Sequence, residues 1–375
     1  MSRKPISASD LPCIQCNKCT HVCPQNMVDP AFTPRGYLLQ ALMGEGAELE
    51  AGPEVWRCLT CLKCREACPS STDWVGLVRE LRHNAKGKDQ CFECKHGHLV
   101  QILQRMMANP AIEQKRLGWA EGLEFADRGE WFYFTGCLPY FDNMFTFGSH
   151  TSIAKATLKL LNAGGVVPVL SNQERCCGYE CLWNGDRETF SKLAKLNIET
   201  IAATGAKKVV TSCAECFHTL KADYAEEREL PFEVVHSVTL FAQWAREGRL
   251  RFRKTPTPGV TYHDPCRLGR YEGIYDAPRE LLKGVAGDSF KEMERIRGDA
   301  LCCGVGNFSN CDSNTKFLQH DRLLEARRTG AEVMVTTCPK CRIHYGCYLD
   351  GRPIEPVENL QVRDITEIAA EALEP

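Results

Sequence analysis

Thr204-Gly205-Ala206-Lys207-Lys208-Val209-Val210-Thr211-Ser212-Cys213-Ala214-Glu215-Cys216 returns later in the chain as Thr329-Gly330-Ala331-Glu332-Val333-Met334-Val335-Thr336-Thr337-Cys338-Pro339-Lys340-Cys341. In each copy a glycine closes a helix, a short β-branched run reads as a buried parallel strand, and a cysteine pair follows. The pair falls just past the strand's carboxyl end, where open α/β sheets collect ligands. Ahead of the first copy, Phe190, Leu193, Ala194, Ile198, Ile201 and Ala202 keep helical spacing, and Phe132 to Thr135 and Gly164 to Leu170 are further strand candidates.

Working outward, the likeness widens. Cys137, Cys176, Cys177, Cys213 and Cys216 form C-x38-CC-x35-C-x2-C, and Cys266, Cys302, Cys303, Cys338 and Cys341 form C-x35-CC-x34-C-x2-C. Both adjacent pairs are followed by glycine, Gly178 and Gly304. Three matched spacings and a matched local sequence identify two copies of one domain. The expected fold is therefore two pseudo-twofold-related α/β domains with short parallel sheets, at 131–245 and 260–375, joined by a charged, then proline-rich linker at 246–259.

A different doubled motif precedes them. Cys13, Cys16, Cys19 and Cys23 with Pro24, and Cys58, Cys61, Cys64 and Cys68 with Pro69, each spell C-x2-C-x2-C-x3-C-P. This run holds [4Fe-4S] cubanes, with three thiolates on one cube and the fourth on the neighbouring one. The crossing gives Cys13, Cys16, Cys19 and Cys68 to one cluster, and Cys58, Cys61, Cys64 and Cys23 to the other. Zinc is the plain alternative for cysteine knuckles, but it has no use for a doubled four-cysteine run ending in proline. Leu38, Leu39, Leu42 and Met43 between the runs keep helical spacing, so 1–90 reads as a helix-rich dicluster ferredoxin-like domain, followed by a connector at 91–130.

The chain has 375 residues, 43% of them hydrophobic, which is ample for several packed cores. Its 23 cysteines are either a disulfide framework or metal ligands. Met1 to Asp10 has no apolar stretch of signal-peptide length, so a cytoplasmic location is expected, where thiolates bind metal rather than pair. A net charge of -2 gives no basic footprint for nucleic acid.

Five cysteines per copy is one more than a cube has corners, so either one is a bystander or the centre is not a simple cube. The phrase Cys-Cys-Gly, with His263-Asp264-Pro265-Cys266, Leu268-Gly269-Arg270 and Cys338-Pro339-Lys340-Cys341, resembles the CCG domain of the heterodisulfide reductase catalytic subunit family. The resemblance covers about two thirds of the chain, and the preceding module, with Trp56 to Cys61 and Phe32 to Leu42, is similar to a ferredoxin subunit fused in some members. It implies that each five-cysteine set carries a non-cubane [4Fe-4S] centre, and that a small disulfide is cleaved between the two. The pattern departs from the family at Ala214, where proline is common, and at Asn307, where more glycine is usual.

The same layout appears in subunits of glycolate, glycerol-3-phosphate and lactate dehydrogenases and of benzoyl-CoA reductase complexes. The alternative function is thus an electron relay without a disulfide substrate. The chain has no glycine-rich flavin or nicotinamide fingerprint. Electrons would come from a flavin-containing or other donor subunit, and a membrane cytochrome b partner would hold the chain peripherally on the inner face of the membrane. Cys91 and Cys94 precede His96 and His98, a zinc-competent tract, though a structural loop is the simpler reading. Cys181, Cys311 and Cys347 receive no role. His218, His263 and His344 flank expected ligands and suit sulfur hydrogen bonds or core positions better than proton donation.

Overall fold

The computed structural model describes residues 11–88, 92, 94, 96–254, 259–351 and 353–374. Its N-terminal part is helical. The leucine run forms helix Pro34–Leu42, which buries Leu38 and leaves Leu39 and Met43 exposed. Helix Trp74–Gly87, capped by Asp73, buries Trp74, Val75, Leu77, Val78 and Leu81 along one side, the apolar stripe that fixes a helix on a core.

Two three-stranded parallel sheets follow. In the first, β1 (Trp131–Phe134) and β3 (Glu233–His236) flank β2 (Lys208–Thr211), with Phe132 opposite Val209 and Val209 opposite Val234. In the second, β4 (Val260–Tyr262) and β6 (Gln361–Asp364) flank β5 (Val333–Thr336), with Val260 opposite Val333 and Val333 opposite Gln361. The middle strand of each sheet is the β-branched run before the cysteine pair. It is buried from its second residue onward in the first copy and throughout in the second, as parallel strands covered on both faces are. Gly164 to Leu170 is not a strand; Val169 makes only isolated bridges to Ala126 and Phe132.

The helices before the middle strands are built alike. Arg187–Ala203 is capped by Asp186 and Ser313–Arg328 by Asp312, each carboxylate accepting from a backbone N–H three residues on, and each helix ends at Thr-Gly. The two copies also pack reciprocally. Helix Thr151–Ala163 of the first lies on Ile365–Ala372 of the second, while Ser237–Arg246 of the first lies on Asp276–Ala286 of the second. These are the same two positions exchanged, the contact a pseudo-twofold axis produces.

Arg82 ties the three parts together. Its buried guanidinium donates to the carbonyls of Val55 (2.9 Å) and Cys58 (2.7 Å), to that of Trp183 (2.9 Å), and to Asn307 Oδ1 (3.2 Å). Burial pushes its pKa down to about 10, and five acceptors, the Trp56 carbonyl at 3.2 Å being the fifth, offset that cost.

Candidate iron-sulfur centres

The two ferredoxin runs have the same backbone. Gln15 and Asn17 flank Cys16 at φ 58° and 65°, and Thr60 and Leu62 flank Cys61 at φ 50° and 61°. Left-handed non-glycine residues are costly and persist where surroundings hold them, characteristically at functional sites. Cys13, Cys16, Cys19, Cys64 and Cys68 line a single cavity. Cys23 has Cys61 and Cys58 as charged neighbours, and Cys64 has Cys58, Cys61 and Cys23. Burial is the main cause that pushes the Cys23 and Cys64 thiols upward.

In the first repeat, the five thiols form a string. Cys137 Sγ lies 2.8 Å from Cys176 Sγ, and Cys177, Cys216 and Cys213 follow as successive thiol neighbours. Cys213 caps helix Ala214–His218, its sulfur accepting from the Cys216 N–H at 3.5 Å. Gly178 and Gly304, at φ 83° and 89°, turn the chain after each adjacent pair, a conformation glycine adopts without a Cβ clash. In the second repeat Cys266 contacts Cys302, Cys302 contacts Cys303, and Cys341 contacts both Cys303 and Cys338.

The strings are joined. Cys213 of the first has Cys338 of the second as a thiol neighbour, and Cys61 of the ferredoxin module has Cys302. The loop after Cys266 holds the Cys61 end in place: Arg270 donates from Nε to the Cys61 carbonyl at 2.5 Å and from Nη1 to that of Ala300 at 2.8 Å, and Tyr271 Oη donates to the Thr60 carbonyl at 2.7 Å. Arg267 sits among the rings of Tyr179, Trp183 and Tyr271 at 4.9, 4.2 and 3.8 Å.

An iron-sulfur group fits these surroundings. Arg267 Nη1 and Arg270 Nη2 are buried without a hydrogen-bond partner, and the Cys266 thiol is a charged neighbour of both guanidiniums. Cations and unused donors directed at gathered thiolates suit a sulfide-rich anionic cofactor. Lys340 Nζ, between Cys338 and Cys341 in sequence, lies 2.7 Å from Glu215 Oε2 and also pairs with Glu180. Gln104 Nε2 donates to Cys176 Sγ at 3.1 Å and bonds Glu180. Glu180, Glu215, Gln104 and Arg267 escaped sequence reading, because each acts across the interface between segments distant in the chain.

The histidines divide. His344 Nδ1 lies 3.2 Å from Cys303 Sγ, a sulfur hydrogen bond. His263 is a core position, packed on Tyr345 and 3.3 Å from Arg322 Nε, and burial with the arginine beside it pushes its pKa down to about 3. His218 Nδ1 pairs with Glu272 at 2.6 Å. Cys91 lies outside the described residues, and among those described no three His, Cys, Asp or Glu side chains converge to hold a single ion, so zinc at Cys94 finds no support. Cys181 is buried, its backbone N–H donating to Gln104 Oε1 at 2.9 Å.

Comparison with known proteins agrees. A 4Fe-4S dicluster domain matches residues 12–73, and a cysteine-rich domain, CCG, matches 131–221 and 260–345. The chain is 31% identical to a subunit of the dihydromethanophenazine:CoB--CoM heterodisulfide reductase of Methanosarcina mazei, over 96% of this chain and 93% of that one. It is 26% identical to EtfAB:quinone oxidoreductase of Syntrophomonas wolfei, over 96% of this chain but 58% of that one. A solved structure of a hypothetical protein from Helicobacter pylori shares the fold, with TM-score 0.52 at 11% identity, over 91% of this chain and 67% of that one. Among the described residues no helix is long and apolar enough to cross a membrane.

Proposed function

Because the chain belongs to the family of that heterodisulfide reductase subunit, an iron-sulfur oxidoreductase family built of a dicluster domain and two CCG domains, we propose that it reduces a small disulfide to two thiols with electrons entering through the dicluster module. The hydrogen bonds of Arg270 to the Cys61 carbonyl at 2.5 Å and of Tyr271 to the Thr60 carbonyl at 2.7 Å carry this reading, since they join that module to the second repeat beside Cys266. In the proposed division, 1–90 is the dicluster domain, 91–130 a connector, 131–245 and 260–375 the CCG domains, and 246–259 a linker whose residues 255–258 lie outside those described.

Each side chain has a part in it. Cys13, Cys16, Cys19 and Cys68 hold one cubane, and Cys23, Cys58, Cys61 and Cys64 the other. Cys137, Cys176, Cys177, Cys213 and Cys216 hold the first non-cubane centre; Cys266, Cys302, Cys303, Cys338 and Cys341 hold the second. When bound, these clusters supply electrons singly, two of which a disulfide requires. Arg267 and Arg270 neutralise charge beside Cys266, His344 hydrogen-bonds Cys303, and Gln104 donates to Cys176, orienting the thiols. A donor subunit, flavin-containing or otherwise, and a membrane cytochrome b that holds the chain on the inner face of the membrane complete the proposal.

A second reading is an electron relay with no disulfide, as in a dehydrogenase or quinone-linked complex. It is favoured by Cys213 having Cys338 as a thiol neighbour, which sets the two cysteine sets side by side, and by the likeness to EtfAB:quinone oxidoreductase. The test is anaerobic purification with iron analysis and spectroscopy. About sixteen irons per chain are expected from four four-iron clusters, and about eight would remove both CCG centres. Oxidation with a dithiol product present should raise a new paramagnetic signal. Its absence with every disulfide tried would select the relay.

A further inference from the structure

In each repeat two segments far apart in sequence carry the first three cysteines: the turn after β1 or β4, which bears Cys137 or Cys266, and the loop that bears the adjacent pair. In the first repeat Glu174, two positions before Cys176, bridges them. Its Oε1 accepts from the Gly136 N–H at 2.7 Å and from Thr135 Oγ1 at 3.1 Å. Arg116 closes the junction, donating from Nη2 to Glu174 Oε1 at 2.8 Å and to Thr135 Oγ1 at 3.0 Å, and from Nη1 to the Glu174 carbonyl at 2.5 Å.

The second repeat has Ala300 where the first has Glu174, and Asp264 where the first has Thr135. Its carboxylate thus stands on the opposite segment, two positions before Cys266. Asp264 Oδ2 accepts from the Arg297 N–H at 2.9 Å, on the segment that leads to Cys302, and Arg279 holds its two oxygens at 2.8 Å each. Arg297 is at φ 54°, a left-handed conformation that a non-glycine residue keeps only where its surroundings fix it. Glu174, Arg116, Asp264 and Arg279 are all buried. Both repeats therefore join the same two segments with one carboxylate and one arginine, and only the segment that supplies the carboxylate is exchanged. A carboxylate that merely balanced a buried guanidinium would have no need to accept a backbone N–H from the opposite cysteine-bearing segment, and both of these do.

We propose that Glu174 and Asp264 are positioning residues, each setting the leading cysteine against the adjacent pair in its own repeat and acting on that repeat's centre alone. The inference rests on reading the two five-cysteine sets as separate iron-sulfur centres. Bonds from backbone N–H and guanidinium to a carboxylate are charge-assisted, hence short and strong, and groups that orient metal ligands commonly change metal affinity by about 10–100-fold. Neither carboxylate reaches the other repeat's segments, so the two clamps act independently.

The test uses the full chain purified anaerobically, with iron analysis, paramagnetic spectra and amide hydrogen exchange. E174A should lose about four irons, the content of one four-iron centre, with the ferredoxin and second-centre signals unchanged; D264A should lose the second centre and keep the first. T135D/E174A moves the carboxylate to the segment that bears it in the second repeat, within reach of Arg116, and should restore the first centre. Amide exchange should be at least about tenfold faster at Gly136 in E174A and at Arg297 in D264A, since each N–H loses a charged acceptor. Should E174A fail to fold, E174Q keeps the shape without the charge and should alter the line shape of the first centre only. Loss of both centres alike in either variant, an unaltered first centre in E174A or E174Q, or a T135D/E174A chain no better than E174A overturns the proposal. Exchange is read without reference to iron: a wild type with about eight irons would remove the two centres, whereas unchanged exchange in both variants would remove the clamps at any iron content.

Discussion

Glu215 and Lys340 stand at the same position of the two repeats, third in Cys213-Ala-Glu-Cys216 and third in Cys338-Pro-Lys-Cys341, and their charged ends meet at 2.7 Å. A strictly symmetric duplication would bring two like charges together on the pseudo-twofold axis, so the repeats have had to diverge there. The divergence is reciprocal. Lys340 has the first set, Cys177, Cys137 and Cys176, as its strongest charged neighbours, whereas Glu215 has Cys338, Cys303 and Cys266 of the second. Burial pushes Lys340 down and Glu215 well above the ordinary carboxylate range.

Unequal consequences of cutting this pair follow from Glu180, the second carboxylate on Lys340. K340M leaves two buried carboxylates facing each other, and removing one partner of a buried ion pair costs about 3–5 kcal/mol. E215Q keeps the Lys340–Glu180 pair and should cost about 1 kcal/mol, the scale of one hydrogen bond. Anaerobic denaturant midpoints for the two variants check the order; equal losses would mean that Glu180 does not share the lysine.

His150 gives the stability a pH dependence. Its ring is buried among Phe141, Phe145 and Phe147, at centroid distances of 6.1, 5.9 and 5.9 Å. Burial, with Arg342 nearby, pushes its pKa from 6.5 down to about 4. The unfolded chain therefore binds this proton first, so the contribution of neutral His150 is complete above pH 6.5 and is lost as pH falls toward 4. Between about pH 7.5 and about pH 5.5 that loss is about 1.4 kcal/mol. H150F should be less acid-sensitive than wild type by that amount in paired denaturation curves.

Much of this was legible beforehand because it is local. The matched Thr-Gly-Ala and β-branched runs locate both middle strands. Gly164 to Leu170 misled because an apolar, β-branched stretch looks like a strand whether or not a neighbour pairs with it. Val169 finds only single bridges. What joins the parts could not be read: Arg82 bonds residues more than two hundred positions apart, and Arg270 reaches the Cys61 carbonyl across the whole first repeat. No periodicity encodes such contacts.

Arg270 should prove necessary for the junction between module and repeat. R270A removes its bonds to Cys61, Gly298 and Ala300, each a charged donor on a carbonyl. Such bonds contribute about 1.5–3 kcal/mol each at most. R270K restores charge but not the planar fork. In both variants the magnetic interaction between the second cubane and the neighbouring centre should weaken, seen as narrower signals in the reduced protein. Unchanged linewidths in both would place the junction elsewhere.

Gly136 offers a test confined to the first repeat. Its φ is +61°, and a Cβ there would stand 2.9 Å from Cys216 Sγ, closer than such contacts allow. G136A would add backbone strain of about 1–2 kcal/mol and also push Cys216 out of the string linking Cys177 to Cys213. The expected outcome is a chain that folds and keeps its ferredoxin signals but loses about four of about sixteen irons, the content of one four-iron centre. A serine or alanine at Gly205, where nothing lies within 4 Å of the added carbon, meets backbone strain alone, at φ +84°, and should keep full iron. If G136A also retained every iron, Cys216 would not be needed for the first centre, and a four-cysteine set would replace the proposed five.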